Sequence, residues 1–144
     1  MNDGVKIKLF LVDDDAVFLK SLEIEFHLEA DFEIETYPTG ELCIENLSHS
    51  PDVIILDYNL DGIEKNAMNG METLDKIKAI NPDIPVIMLS SQDKIEVAVN
   101  CMHHKAFDYV VKSETAFTRL QKAITTIFKY RKMEKQLSWY MDRM

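Results

Sequence analysis

Strand-like and helix-like segments alternate along most of this 144-residue chain. The strand-like segments are short and apolar, and they lie at 6–12, 32–37, 53–56, 84–89 and 107–111. The helix-like segments repeat apolar residues every three or four positions, and they lie at 16–29, 40–47, 69–80, 93–105 and from about 115 toward the end. This strict alternation predicts an α/β fold, in which helices cover both faces of a parallel sheet.

The composition fits one folded domain. Hydrophobic residues make up 47% of the chain, and four Gly and four Pro are too few for a disordered or fibrous protein. The amino terminus lacks the pattern of a signal peptide and the apolar runs are strand-sized, so we expect a cytoplasmic protein without a membrane span. Cys43 and Cys101 fall in helix-like patterns, and we expect both to be reduced core residues.

The charge is unevenly distributed. Residues 1–111 contain 8 Lys/Arg and 22 Asp/Glu, a balance of −14, whereas residues 112–144 contain 8 and 3, a balance of +5. An acidic body argues against direct nucleic-acid binding, which requires a basic face. The basic tail is either a solvated helix face or a contact for an acidic partner.

Residues that can carry chemistry follow four of the predicted strands. In parallel sheets, ligands bind beyond the carboxyl ends of the strands, so these residues are expected to share one pocket. Clustered carboxylates recruit a cation, and an all-oxygen, partly hydrated site suits Mg²⁺. A carboxylate can also act as a nucleophile and form an acyl phosphate, whose charge a metal, a lysine and a hydroxyl would neutralise. The residues are Asp13-Asp14-Asp15 after the first strand, Asp57 at the third, Ser90-Ser91 at the fourth and Lys112 after the fifth.

The segments LVDDD, VIILD, VIMLSS and FDYVVK occur in this order along the chain. They resemble the motifs of the response-regulator receiver domain of two-component signalling. The resemblance covers roughly residues 6–128. It implies a doubly wound, flavodoxin-like (βα)5 fold whose five-stranded parallel sheet has the order 2-1-3-4-5. The chain then divides into a receiver domain, 1–128, and a helical extension or linker, 129–144.

The resemblance implies that Asp57 accepts a phosphoryl group from a histidine kinase or a phosphotransfer protein. Asp13 and Asp14 would hold Mg²⁺, one directly and the other through water, together with Asp57 and the backbone carbonyl of Asn59. The implied protein is not an enzyme toward other substrates and catalyses only its own phosphoryl transfer and dephosphorylation.

The resemblance also implies roles for the remaining strand-end residues. Ser90 and Lys112 would bind the phosphoryl oxygens, and Tyr109 would be an aromatic switch that turns inward when the hydroxyl moves. The implied output surface is the face made by helix 4, strand 5 and helix 5, which could contact a second copy or an output domain.

Two features depart from the usual receiver pattern. Receivers follow the lysine with a proline in a cis peptide, but here Ser113 follows Lys112. The loop after Asp57 is also long, because Gly70, which opens the third helix, comes about five residues late. The inserted segment, DGIEKN, could cover the site, contact a partner or be a tolerated surface insertion.

Three other readings compete with the receiver. DYNLDG matches the first half of an EF-hand loop, but Met68 stands where the bidentate glutamate should be. A haloacid-dehalogenase-like phosphatase needs a second aspartate two residues after its nucleophile, where this chain has Asn59. A non-phosphorylated pseudo-receiver that only binds partners is the third.

His103 and His104 point about 100° apart on a helix, which argues against a shared metal.

The last predicted helix carries two apolar stripes. An extended amphipathic helix must bury its stripe against another surface, so we interpret the tail as a dimerising or linker helix. The first stripe is Phe117, Leu120, Ile124 and Ile127, and the second, slightly offset, is Tyr130, Met133, Leu137, Tyr140 and Met144.

Overall fold

Five parallel β-strands form one sheet that is covered by helices on both faces. The structure, a computed structural model, describes residues 6–29, 31–62 and 66–144. The strands are β1 (Ile7–Val12), β2 (Phe32–Tyr37), β3 (Val53–Asp57), β4 (Val86–Ser90) and β5 (Asp108–Val111). Their order is β2-β1-β3-β4-β5, which confirms the predicted topology.

Five α-helices and one short 3₁₀ turn connect and follow the strands. They are α1 (Ala16–His27), α2 (Gly40–Glu45), the 3₁₀ turn Leu47–His49, α3 (Gly70–Ile80), α4 (Ile95–His103) and α5 (Ala116–Asp142). Side chains cap two of the helices: the Asp15 carboxylate accepts the Val17 and Phe18 amides of α1, and Asn69 forms a reciprocal capping box with Glu72 on α3. Among the described residues, no helix combines the length and the apolar character needed to cross a bilayer.

Two predicted starts lie two residues too early, and several predicted ends differ by one or two residues. Residues 84 and 85 do not belong to β4, because Pro85 has no N–H to donate to a ladder, although Ile84 is buried like a strand residue. Helix α4 begins at Ile95 rather than near Asp93, and its N-cap, Lys94, makes no side-chain capping bond.

The core consists of two layers, one on each face of the sheet. Alternate residues of β1 show the division: Leu9 and Leu11 face α1 and α5, whereas Phe10 and Val12 face α2, α3 and α4. Both cysteines are buried in the second layer and neither forms a disulfide, as predicted. With both faces covered, β3 and β4 are buried along their whole length, which explains their continuous apolar sequence.

Helix α5 begins on the body of the protein and ends beyond it. Its first half buries Leu120, Ile124 and Ile127 in the first core layer. Arg131 makes the last strong link to the sheet, because its Nη2 donates to the Asp52 carbonyl at 3.1 Å and its Nη1 lies 3.6 Å from the Asp52 carboxylate. Every residue from 132 to 144 is exposed.

Candidate functional site

Three carboxylates meet at the carboxyl ends of β1 and β3. These strands pair in parallel with Val12 opposite Leu56, so the next residues, Asp13 and Asp57, emerge side by side. Each of the two is only 2% exposed. Together with the half-buried Asp14, they offer oxygen atoms that all lie within 4.8 Å of one another. The fold therefore brings these three acids together, as the strand order predicts.

Lys112 neutralises part of this charge. Its Nζ lies 2.9 Å from Asp13 Oδ2 and 3.4 Å from Asp57 Oδ1, so one ammonium ion bridges both buried carboxylates. The Lys112 backbone N–H donates to the Ser90 carbonyl at 2.7 Å and extends the β4–β5 pairing by one residue. Among the described residues every peptide bond is trans, including the one to Ser113.

Phe18 also contacts the ammonium ion. Its ring, in the first turn of α1, lies with its centroid 4.7 Å from Lys112 Nζ, a cation–π distance. The sequence did not identify Phe18 as a residue of the site. No sequence signal pairs it with the lysine, because the contact depends on how α1 lies across the sheet.

The electrostatics of the site favour an additional positive charge. Burial and the neighbouring charge of Asp13 raise the pKa of Asp57 to about 7, although Lys112 opposes the rise. Burial alone would lower the pKa of Lys112, but the contact and charge of Asp13, with the charge of Asp57, raise it above its ordinary value. One lysine does not balance three carboxylates. The metal-free site therefore holds a proton more tightly than an ordinary aspartate does.

The donor set fits Mg²⁺. The three acids offer only carboxylate oxygens, the ligands that this ion prefers, and the half-exposed Asp14 leaves an open side for water. The Asn59 N–H donates to Asp57 Oδ1 at 3.3 Å, which places this residue at the rim of the site. The use of its carbonyl as a ligand stays a prediction.

Ser90 and Tyr109 both bond the backbone of Gln92, a residue of the β4–α4 loop. Ser90 ends β4 with its side chain fully buried, and its hydroxyl oxygen accepts the Gln92 N–H at 3.0 Å. Tyr109 is half-buried, and its hydroxyl donates to the Gln92 carbonyl at 2.6 Å. The tyrosine thus points toward the strand ends. Gln92 connects the two residues through its backbone, which is why its side-chain identity gave no sequence signal.

The long loop after Asp57 is attached at both ends. Leu60 is 1% exposed in the second core layer, and the Met68 N–H donates to Glu41 Oε2 at 2.8 Å. Gly70 lies so close to the end of β3 that a Cβ there would stand 2.6 Å from the Tyr58 Cα. Of the inserted segment DGIEKN, Asp61, Gly62 and the asparagine are described, while residues 63–65 lie outside the described residues.

A carboxylate nucleophile with a lysine and a buried hydroxyl at adjacent strand ends is an arrangement suited to phosphoryl transfer. The comparisons with known proteins agree with this chemistry. The family model described as response regulator receiver domain matches residues 9–125, so the chain belongs to that family. It is a phosphorylation-switched receiver of two-component signalling.

Curated relatives and solved structures support the same family. The chain is 37% identical over 118 residues to a protein-glutamate methylesterase/protein-glutamine glutaminase of Clostridium acetobutylicum, covering 78% of this chain and 32% of that protein. It is 32% identical over 114 residues to the transcriptional regulatory protein PrrA of Mycobacterium leprae, covering 78% of this chain and 46% of the relative. The chain thus spans less than half the length of either.

A crystal structure of a response regulator receiver domain protein from Clostridium thermocellum superposes with a TM-score of 0.76. It is 25% identical, and the match covers 88% of this chain and 97% of that one. The common part is therefore the receiver fold itself.

Proposed function

We propose that Asp57 is the phosphoacceptor of this receiver. The observation that carries the proposal is the position of Lys112 Nζ between the buried carboxylates of Asp13 and Asp57. A carboxylate beside a fixed ammonium ion can attack phosphorus while the ammonium stabilises charge on the transferred group. The P–O bond to Asp57 forms as the bond between phosphorus and the donor breaks, and the leaving group departs with the electron pair.

The other strand-end residues receive roles from the same geometry. Asp13 and Asp14 would hold Mg²⁺ with Asp57 and the Asn59 carbonyl, and the ion would supply positive charge to the phosphoryl oxygens. Asp57 must be ionised to react, and Lys112 favours that form. The Ser90 hydroxyl would turn from the Gln92 amide to a phosphoryl oxygen.

The natural donors that fit this site are the phosphohistidine groups of a histidine kinase or a phosphotransfer protein. We propose that this chain catalyses only its own phosphoryl transfer and does not turn over other substrates. The methylesterase relative is an enzyme, but the match covers only 32% of its length, so its activity is not carried over. Location in the cytoplasm and the division at residue 128 stay predictions from the sequence.

Phosphorylation in vitro tests the proposal. The chain is incubated with Mg²⁺ and a small acyl phosphate, and intact-protein mass spectrometry should show one added phosphoryl group. Asp57→Asn should abolish the addition, whereas Asp61→Asn, a matched exposed acid in the following loop, should not. An unmodified wild-type chain would favour the pseudo-receiver, and multiple turnover of organic phosphates would favour the phosphatase.

A further inference from the structure

The end of α5 presents an apolar stripe that the described part of the protein leaves largely uncovered; only Tyr130 touches the body, where its ring lies edge-on to Phe107 at 6.2 Å. Tyr130 is 54% exposed, Met133 52%, Leu137 64% and Tyr140 63%, while Met144 is almost fully exposed. On the same helix, nearly three turns before Tyr130, Leu120 is fully buried. A helical segment of this length is marginal in water by itself, so its apolar side needs a partner.

The stripe cannot turn back onto its own body. Successive helical residues are rotated by about 100°, which places the centre of the exposed stripe roughly 130° around the helix from the buried face at Leu120, Ile124 and Ile127. The buried face and the Arg131–Asp52 contacts fix the rotation of the helix. The exposed stripe therefore points sideways, where another chain can approach it.

The spacing of the stripe matches a coiled-coil seam. Tyr130, Met133, Leu137, Tyr140 and Met144 follow each other at intervals of three, four, three and four, which are the a and d positions of two heptads. None of these residues is charged. The only tryptophan, Trp139, lies outside the seam, where Arg143 stacks on its ring at 4.0 Å.

The flanking charges favour one relative orientation. Lys129 occupies a g position, and Glu134 occupies the e position five residues later; both are exposed. In a parallel pair, g of one helix lies beside the following e of the other, so Lys129 of each copy meets Glu134 of its partner. In an antiparallel pair, g residues face g residues and this attraction is lost.

We propose that residues 130–144 of two copies of this chain form a parallel two-stranded coiled coil. A second copy fits the stripe because it supplies the opposite charges for Lys129 and Glu134, whereas the basic tail, with its balance of +5, makes an anionic membrane the alternative that the vesicle experiment addresses. A parallel pair also brings both carboxyl ends to one place. The inference goes beyond the receiver function and does not depend on phosphorylation.

The size of the seam predicts a weak dimer. If each of the five side chains buries roughly 100 Å², the pair removes about 1,000 Å² from water, which is at the lower limit for specific interfaces. We expect a monomer–dimer equilibrium in the micromolar range rather than an obligate dimer.

Sedimentation equilibrium of the full chain tests the seam. The wild type should dimerise, Leu137→Glu should weaken dimerisation at least about tenfold, and Ser138→Glu, a matched charge on another face, should leave it nearly unchanged. A wild-type chain that stays monomeric at all concentrations would overturn the proposal, as would equal weakening by both variants. A wild-type monomer that floats with vesicles containing anionic lipid would also overturn the proposal, because the stripe would then bind a membrane rather than a second copy.

A charge exchange tests the orientation. Lys129→Glu and Glu134→Lys should each weaken the dimer about three- to tenfold, and the double variant should restore it, because the pairs re-form with opposite signs. Under mild oxidation, Tyr140→Cys chains should crosslink to each other, and the buried Cys43 and Cys101 should not interfere. Crosslinking only between Tyr130→Cys and Tyr140→Cys chains, an a and a d position, would show an antiparallel pair and refute the proposal.

Discussion

Replacing Asp57 by asparagine should stabilise the metal-free protein, and the gain should grow with pH. The carboxylate is 2% exposed and stands against Asp13, so its ionised form is costly in the fold. Its pKa is about 7 in the folded protein against an ordinary 3.8, a difference worth roughly 4 kcal/mol. Asparagine has the shape of the neutral acid and does not ionise.

The sign of the effect follows from linkage. Because the folded-state pKa of Asp57 is raised, its contribution to stability is complete below about pH 4 and is lost as the pH rises through about 7. With these two pKa values, roughly 2–3 kcal/mol of the loss falls between pH 5 and pH 8. The folded-state pKa of about 7 already includes the attraction of Lys112, so the variant should gain up to about 4 kcal/mol at pH 8.

Urea denaturation in EDTA at pH 5 and pH 8 measures this difference. Circular dichroism is the better signal, because the single Trp139 lies half-exposed in the tail. Other titrating groups are common to both proteins and cancel in the comparison. Mg²⁺ should then reduce or reverse the difference in stability between the two proteins. A free Mg²⁺ concentration of one hundred times Kd adds about 2.7 kcal/mol to the free energy of unfolding of the wild type. A difference that does not change with pH, or a variant that is less stable at pH 8 in EDTA, would refute the reasoning.

Three further experiments test other parts of the site. Lys112→Met should slow phosphorylation by a small acyl phosphate about 100-fold or more, measured by mass spectrometry, because a fixed charge beside the transferred group is lost. Gly70→Ala should lower the free energy of unfolding by roughly 1–3 kcal/mol in urea, because its Cβ meets the backbone that ends β3. Ser90→Ala and Tyr109→Phe should be non-additive by about 0.5–1 kcal/mol in a double-mutant cycle, because Ser90 bonds the N–H and Tyr109 the carbonyl of Gln92; strict additivity would contradict the coupling.

The positions of the acids and the lysine could be predicted because parallel strands end at one edge of a sheet. Once the strands were identified, the placement of Asp13, Asp57, Ser90 and Lys112 followed from topology with no side-chain detail. The capping box at Asn69 was predictable for a related reason, since it depends on contacts only three residues apart.

Features that depend on packing angles could not be predicted. The contact of Phe18 with Lys112 joins residues far apart in sequence and requires the exact tilt of α1. The start of β4 was placed too early because apolar sequence reports burial, and Ile84 is buried without pairing in the sheet. The exposed stripe of α5 was recognised, but its rotation from the buried face is larger than the slight offset that the spacing suggested.

The backbone of Gln92 offers the proposed switch a physical connection between the phosphorylation site and the β4–α4 loop. The Ser90 hydroxyl accepts the Gln92 N–H, and the Tyr109 hydroxyl donates to the carbonyl of the same residue. If the Ser90 hydroxyl turned to donate to a phosphoryl oxygen, its bond to the Gln92 N–H would change, and the loop before α4 would respond. Because Tyr109 is bonded to that loop, its ring would adjust with it. Under this proposal, a change of one buried hydrogen bond would reach the surface that a partner contacts.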